Sequence, residues 1–228
     1  MLKVKSLQTA PRKSNLDIIF SDHFLMNRFK SFTGGVFDTN CFYYHAPQGG
    51  ILFDAPQGAD SAFAREQVDL FLLTHGHFDH VVDGAAIIKR HGCKTAFHPD
   101  TAPMVGDPDF LRNLGFELEI DPFKADFFLD ENGQRELLGA PLRIYHVPGH
   151  CPGSLCFHFI DEQVIVGGDV LFRGGVGRWD LPGGDKDLLL DGIRQKLLPL
   201  EDAVTVLPGH GPPTTIGWER RNNPFLVE

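Results

Sequence analysis

The chain has no close cysteine pair, no long apolar run, and no run of Lys and Arg longer than a pair such as Arg220-Arg221. Each absence removes a class of function. Cys41, Cys93, Cys151 and Cys156 include no CxxC spacing, so they read as reduced thiols rather than a disulfide framework or metal ligands. The opening stretch MLKVKSLQTAPRKSN lacks the apolar segment of a secretory leader, and no segment is long and apolar enough to span a membrane. The expectation is a cytoplasmic protein without a membrane partner. A formal net charge of −9 repels phosphate backbones, which argues against a nucleic-acid partner. No GxSxG motif offers a serine nucleophile, and no internal repeat is visible.

What is abundant is phenylalanine (20) and glycine (25), which suggests a strand-rich core joined by tight loops. A chain of 228 residues fits one α/β domain, taken here as 1–228. At that size about 70–75% of the unfolded surface is buried, enough for a core without cross-links. Strands are predicted over Val36–His45, Gly50–Asp54, Val68–Thr74, Arg143–Val147, Leu155–Ile160, Gln163–Val166 and Ala203–Leu207. Helices are predicted over Ala59–Gln67, His80–His91, Pro108–Leu114 and Asp187–Leu198. Residues 1–15 read as a loose lead-in or an edge strand. The pattern suggests two sheets with helices outside.

The strongest chemical signal is Thr74-His75-Gly76-His77-Phe78-Asp79-His80, between a buried strand and a helix. His75 and His77 are two apart and share a face on extended backbone. Three imidazoles and a carboxylate within six residues are the ligand types of zinc and iron sites. Three further candidates, His150, Asp169 and His210, each follow an apolar strand and a glycine. That recurrence suggests one sheet edge delivering ligands to one point. His23, His45, His91, His98, His146 and His158 lack partners at ligand spacing and read as structural or surface residues.

The set His75-x-His77-x-Asp79-His80, then His150, Asp169 and His210, resembles the metallo-β-lactamase superfamily, and Asp54 in Leu52-Phe53-Asp54 matches its first motif. The resemblance runs from about Asn40 to His210. It implies a four-layer αββα sandwich of the α/β class with two divalent metals at one edge: zinc, iron or both, or manganese. It puts His75, His77, His150 and a bridging Asp169 on one metal. Asp79, His80, Asp169 and His210 take the other, and Asp54 orients the ligand loop. The strings Gly168–Asp185 (GDVLFRGGVGRWDLPGGD) and Pro208–Arg220 (PGHGPPTTIGWER), with Asn223-Pro224-Phe225, are similar to the glyoxalase II-like branch.

That likeness implies hydrolysis of thioesters such as S-lactoylglutathione, with water activated at the metals and Asp79 as catalytic proton acceptor. Arg178 falls where that enzyme has a basic glutathione contact, and Asp180 replaces a neighbouring Tyr. Glyoxalase II continues into a helical glutathione-binding domain, whereas this sequence stops 18 residues after His210. The expectation is a groove resting on the core domain, with Arg178 as its carboxylate anchor. The gap between His80 and His150 is long for the branch, and its extra residues are expected to cover the site. Cys151 stands where the family usually has Thr and reads as a small buried residue. The partner is a small molecule, and the protein is a monomer or homodimer. The competing readings are a mononuclear iron persulfide dioxygenase, a hydrolase of lactones or other esters including β-lactams, a diiron electron carrier, and an idle metal binder.

Overall fold

In the predicted strands most positions are apolar, often in unbroken runs such as Leu70–Leu73, which amphipathic strands facing water on one side do not show. The computed structural model describes residues 28–107, 109–113, 115, 120–131 and 133–227, and it accounts for this pattern. The lead-in at 1–15, His23, Pro108 and Leu114 lie outside the described residues.

Sheet one runs β1 (Phe29–Gly34), β2 (Thr39–Ala46), β3 (Gly49–Phe53), β4 (Leu70–Leu72), β5 (Lys94–Phe97) and β6 (Phe127–Phe128) in sequence order. β1 to β3 pair antiparallel and β3 to β6 parallel. Sheet two contains β7 (Gln134–Leu137), β8 (Ala140–His146), β9 (Leu155–Phe159) and β10 (Val164–Gly168). A small hairpin, β11 (Leu171–Phe172) and β12 (Gly175–Val176), follows β10. β13 (Thr205–Pro208) then pairs parallel with β10, and β14 (Thr214–Thr215) closes that edge.

Alternation along each strand builds the layers. Phe42, Tyr44, Ile51, Phe53, Leu70 and Leu72 of sheet one meet Leu142, Ile144, Leu155, Phe157, Phe159 and Val166 of sheet two in a central core. The intervening Cys41, Tyr43, Leu52 and Phe71 face outward into a second cluster. That cluster is covered from α1 (Ala59–Ala62) by Ala59, α2 (Phe78–Val81) by Val81, α3 (Gly84–His91) by Ile87 and α4 (Ala102–Gly106) by Val105. α5 (Phe110–Asn113) follows α4. On the other side Tyr145, Cys156, Ile165 and Val206 pack on α6 (Lys186–Gly192), its π-helical continuation Ile193–Leu197, and Ile216 of α7 (Ile216–Asn222). Strands buried on both faces read as continuous apolar runs, and the result is the expected αββα sandwich.

Local expectations differ in three places. The strand predicted from Val36 begins at Thr39, because Gly35 and Asp38 take positive φ (71° and 52°) in a turn whose tip exposes Val36. The helix predicted over Ala59–Gln67 stops at Ala62, and the chain continues through tighter turns closed by Ala64 N–H to the Ser61 carbonyl and Glu66 N–H to the Phe63 carbonyl. The helix predicted over His80–His91 is two helices. Val82 and Asp83 break it, since the Asp83 carboxylate accepts the amides of Gly58 (2.8 Å) and Asp60 (3.1 Å) while Asp83 N–H donates to the Ala55 carbonyl. Among the described residues no helix is long and apolar enough to cross a membrane.

Candidate metal centre

The predicted ligands leave the C-terminal ends of strands from both sheets. His75, His77, Asp79 and His80 follow β4, His150 follows β8, Asp169 follows β10, and His210 follows β13. Backbone bonds tie these exits together. Leu155 N–H donates to the Thr74 carbonyl (2.7 Å), Asn40 N–H to the Gly209 carbonyl (2.7 Å) and Gly209 N–H to the Gly168 carbonyl (2.9 Å). The β10–β13 register shifts between Val166 and Gly168, and this irregularity re-aims the chain at Asp169. Gly209 has to be glycine, because a Cβ there would run into Asp169 Oδ1 and His80 Cε1.

Each candidate ligand imidazole with a described ring hydrogen bond has its Nδ1 engaged. Asp54, buried and in left-handed backbone conformation (φ 61°), accepts from His80 Nδ1 (2.8 Å), Thr74 N–H (2.8 Å) and the Thr74 hydroxyl (2.7 Å). With its only proton given to Asp54, Thr74 Oγ1 accepts from His75 Nδ1 at 3.0 Å. His150 Nδ1 donates to the Arg178 carbonyl (2.7 Å) and His210 Nδ1 to the Phe37 carbonyl (3.0 Å). Asp54 thus fixes two tautomers, one directly and one through Thr74. All four rings turn Nε2 toward a common centre, which also receives His77.

The Nε2 atoms of His75, His80 and His150, and Oδ1 of Asp169, are buried without a hydrogen-bond partner. Buried polar atoms are rarely left so, and four converging atoms of ligand type match a cation's requirement. Potential ligand atoms form overlapping groups: His75, His77 and His150; His75, His80 and Asp169; Asp79, His80 and His210. Asp169 adjoins two of these sides, with Oδ1 3.3 Å from His80 Nε2, and Oδ2 3.3 Å from His210 Nε2 and 3.6 Å from His150 Nε2. Asp79 Oδ2 lies 3.3 Å from His210 Nε2 and 3.6 Å from His80 Nε2. Two atoms each about 2.0–2.1 Å from one tetrahedral zinc lie about 3.3 Å apart, so the spacing fits divalent ions. Chemistry and geometry both fit a metal pair.

The cluster's own charge supports this. Burial, with help from neighbouring imidazoles, pushes His75 well below its ordinary range and His77 down to about 3, and burial lowers His150 too. These rings are neutral and ready to ligate. Burial works against charge on His80 and His210 as well, but carboxylates override it. Asp169 and Asp54 raise His80 well above its usual value, and hydrogen bonds to Asp169 and Asp79 raise His210 to about 10. For Asp79 burial is again opposed, by the His210 hydrogen bond and the His80 charge, and its carboxyl falls to about 2.

A pH prediction follows for the metal-free protein. His210, raised to about 10, carries a proton at pH 7.5, and a cation has to displace it. Calorimetric zinc titrations in buffers of different ionisation enthalpy should therefore show proton release on binding, and affinity should rise with pH. The sign for stability is opposite. His210's pKa is raised from 6.5 to about 10, so its contribution to the metal-free fold is full below 6.5 and disappears as pH passes about 10. Zinc binding whose heat is independent of buffer would contradict this.

All seven predicted ligands and Asp54 therefore meet. Arg178 lines the cleft beside these residues. Its side chain is 61% exposed and forms a two-point ion pair with Asp180 (2.8 and 2.8 Å), while its backbone carbonyl holds His150. Sequence reasoning missed Thr39, whose buried hydroxyl donates to Asp79 Oδ2 at 2.8 Å across 40 positions. It also missed Thr74, although that residue directly precedes the motif. His98 and His146, read as lone histidines, stack at 4.0 Å with Asp100 nearby. Their planes lie 14° apart, their ligand atoms and one of Asp100 lie within 4.8 Å of one another, and His146 Nε2 donates to the Pro152 carbonyl (2.7 Å) in the loop bearing His150. Cys151 is fully buried, as expected of a small interior residue, with Sγ 3.5 Å from Met104 Sδ. Met104 and Phe110, from the segment between His80 and His150, line the cleft over the site.

Residues 34–210 match the sequence pattern of the Metallo-beta-lactamase superfamily. Hydroxyacylglutathione hydrolase GloC of Haemophilus influenzae is 39% identical over 201 residues, covering 83% of this chain and 93% of that protein. The crystal structure of the BLEG-1 B3 metallo-beta-lactamase is similar with a TM-score of 0.81 and 34% identity, over 88% of this chain and 100% of that one. TTHA1623 in a di-iron-bound form gives 0.77 and 34%, over 86% and 100%.

Proposed function

The chain belongs to the metallo-beta-lactamase superfamily, and from that premise we propose that it is a binuclear metal-dependent hydrolase of thioesters of the S-lactoylglutathione type. One observation carries the metal assignment: buried imidazole and carboxylate atoms converge with no partner of their own. In this reading His75, His77, His150 and Asp169 hold one divalent metal. Asp79, His80, Asp169 and His210 hold the other. When bound, such ions supply a Lewis acid for a carbonyl and bring the pKa of water toward about 7.

The chain's own groups do the rest. Thr39 fixes one oxygen of Asp79, which orients the nucleophile's proton and accepts it. A thiolate leaves without a strong general acid, and no such acid is required of the described residues. Arg178 stands at the cleft rim, where its guanidinium exchanges Asp180 for a substrate carboxylate. The name of the Haemophilus relative supports the substrate class, and the di-iron form of TTHA1623 supports a metal pair.

The test is metal content by mass spectrometry, with an S-lactoylglutathione assay on the loaded protein. The expected result is close to two metals per chain, hydrolysis of the thioester, and selective loss of the second metal in His210→Ala. A single iron per chain, untouched by that substitution and accompanied by oxygen uptake on a persulfide, would replace this proposal with the mononuclear dioxygenase.

A further inference from the structure

Above the metal-site residues lies a cleft of about 290 Å³. His77, Asp79, His150, Asp169 and His210 contribute to its lining, so a reacting carbonyl has to enter here. The rest of the lining is Gly76, Phe37, Phe78, Met104, Phe110, Leu181, Pro182 and Arg178. Among the described lining residues, Arg178 is thus the one polar side chain outside the ligand set, and Asp180 already holds its guanidinium at two points.

Phe37 sits at the β1–β2 turn, 55% exposed, and meets Phe78 edge to face at 5.5 Å. Val36 beside it is 85% exposed. Large apolar side chains left facing water beside a cleft mark a surface that is covered when the cleft fills. A glutathionyl group brings two carboxylates and two amides, for which these walls offer one cation, Arg178, and only after it leaves Asp180. A small apolar group fits them.

Resting on the thioesterase reading, we propose that this cleft selects thioesters with an apolar acyl group, and that Phe37 is the residue that sets the preference. The acyl carbon sits over the ligand groups. Its substituent lies against Phe37 and Phe78 on one segment pair and Met104 and Leu181 on the other. The glutathione portion, or another thiol, extends past Arg178 toward solvent.

The experiment uses the metal-loaded full chain and two substrate series. In the first the thiol is glutathione and the acyl group runs acetyl, propionyl, butyryl. Burying each methylene should raise kcat/KM about fourfold. S-Lactoylglutathione should fall below the butyryl ester. Phe37→Ala should flatten the butyryl-to-acetyl ratio to about threefold or less, and Phe37→Leu should keep most of it. Because the Phe37 carbonyl also holds His210, metal content is measured for both variants. In the second series the acyl group is butyryl, and N-acetylcysteamine replaces glutathione. A loss of less than about tenfold agrees with acyl selection. A flat or falling acyl series, an unchanged ratio in Phe37→Ala, or a loss above about a hundredfold without glutathione overturns the inference and leaves the hydrolase standing. If the loaded protein cleaves no thioester at all, the hydrolase reading falls and takes this preference with it.

Discussion

Asp169→Ala should leave both metal positions largely empty and lower kcat/KM by about 10³-fold or more, since a lost Lewis acid removes several kcal/mol of transition-state stabilisation. Asp169 approaches three of the imidazoles. One carboxylate oxygen is 3.3 Å from His80 Nε2, while the second is 3.3 Å from His210 Nε2 and 3.6 Å from His150 Nε2. Removing it deletes a donor from each group of ligands and the charge that balances the imidazoles. Asp169→Asn is the companion variant, similar in shape but without the charge. Elemental analysis, thioester turnover and circular dichroism on both variants decide the matter. If Asp169→Ala keeps two metals and folds normally, the bridging role assigned to Asp169 is wrong.

Asp54→Ala should cost about 3–5 kcal/mol of stability in the metal-free protein, the usual penalty for removing one partner of a buried charged pair. Asp54 is 2% exposed and is the acceptor for three donors: the amide and hydroxyl of Thr74, and Nδ1 of His80. Ala also has to adopt a φ of 61°, which L-residues with a Cβ disfavour. Asp54→Asn separates the two effects. Asn tolerates the left-handed conformation, but its amide group has two N–H donors and only one acceptor oxygen for the three donors around it. That variant should fold and bind metal about 10–100-fold more weakly, as expected when the group orienting a ligand is altered. Denaturant unfolding of the metal-free forms and competition with a chelator measure the two quantities. Unchanged zinc affinity in Asp54→Asn would show that His75 and His80 do not depend on it for orientation.

Much of the site was legible because ligand chemistry is a property of residue type. His75, His77, Asp79 and His80 lie within six positions, and any turn after a buried strand keeps them near one another. His150, Asp169 and His210 carried a weaker sign, an apolar strand ending in glycine. The pattern had a physical basis, since a glycine such as Gly209 is what lets the backbone pass against a neighbouring ligand. The doubly buried strands were likewise visible as unbroken apolar runs. The boundary errors at Val36, Ala62 and Val82 share a cause: hydrophobic spacing reports which face is buried, and it is silent about where a turn or a tertiary hydrogen bond stops an element.

By itself, then, the sequence determined the candidate ligand residues, the strand ends that carry them, and a core of two sheets buried on both faces. These depend on side-chain chemistry and on short-range periodicity. Only the tertiary structure decided how those ligands are aimed. Thr39 reaches Asp79 because β2 begins beside the His210 loop. Asp54 sets the tautomers of His75 and His80 because β3 and β4 are neighbours in parallel. Arg178 supports His150 through its carbonyl, an atom every residue has, so no residue type could announce it. Phe37, an exposed residue on a turn, becomes a cleft wall only when that turn folds over Phe78. Contacts between distant segments are fixed by how the two sheets pack and which strands adjoin, and no local pattern of residues encodes that.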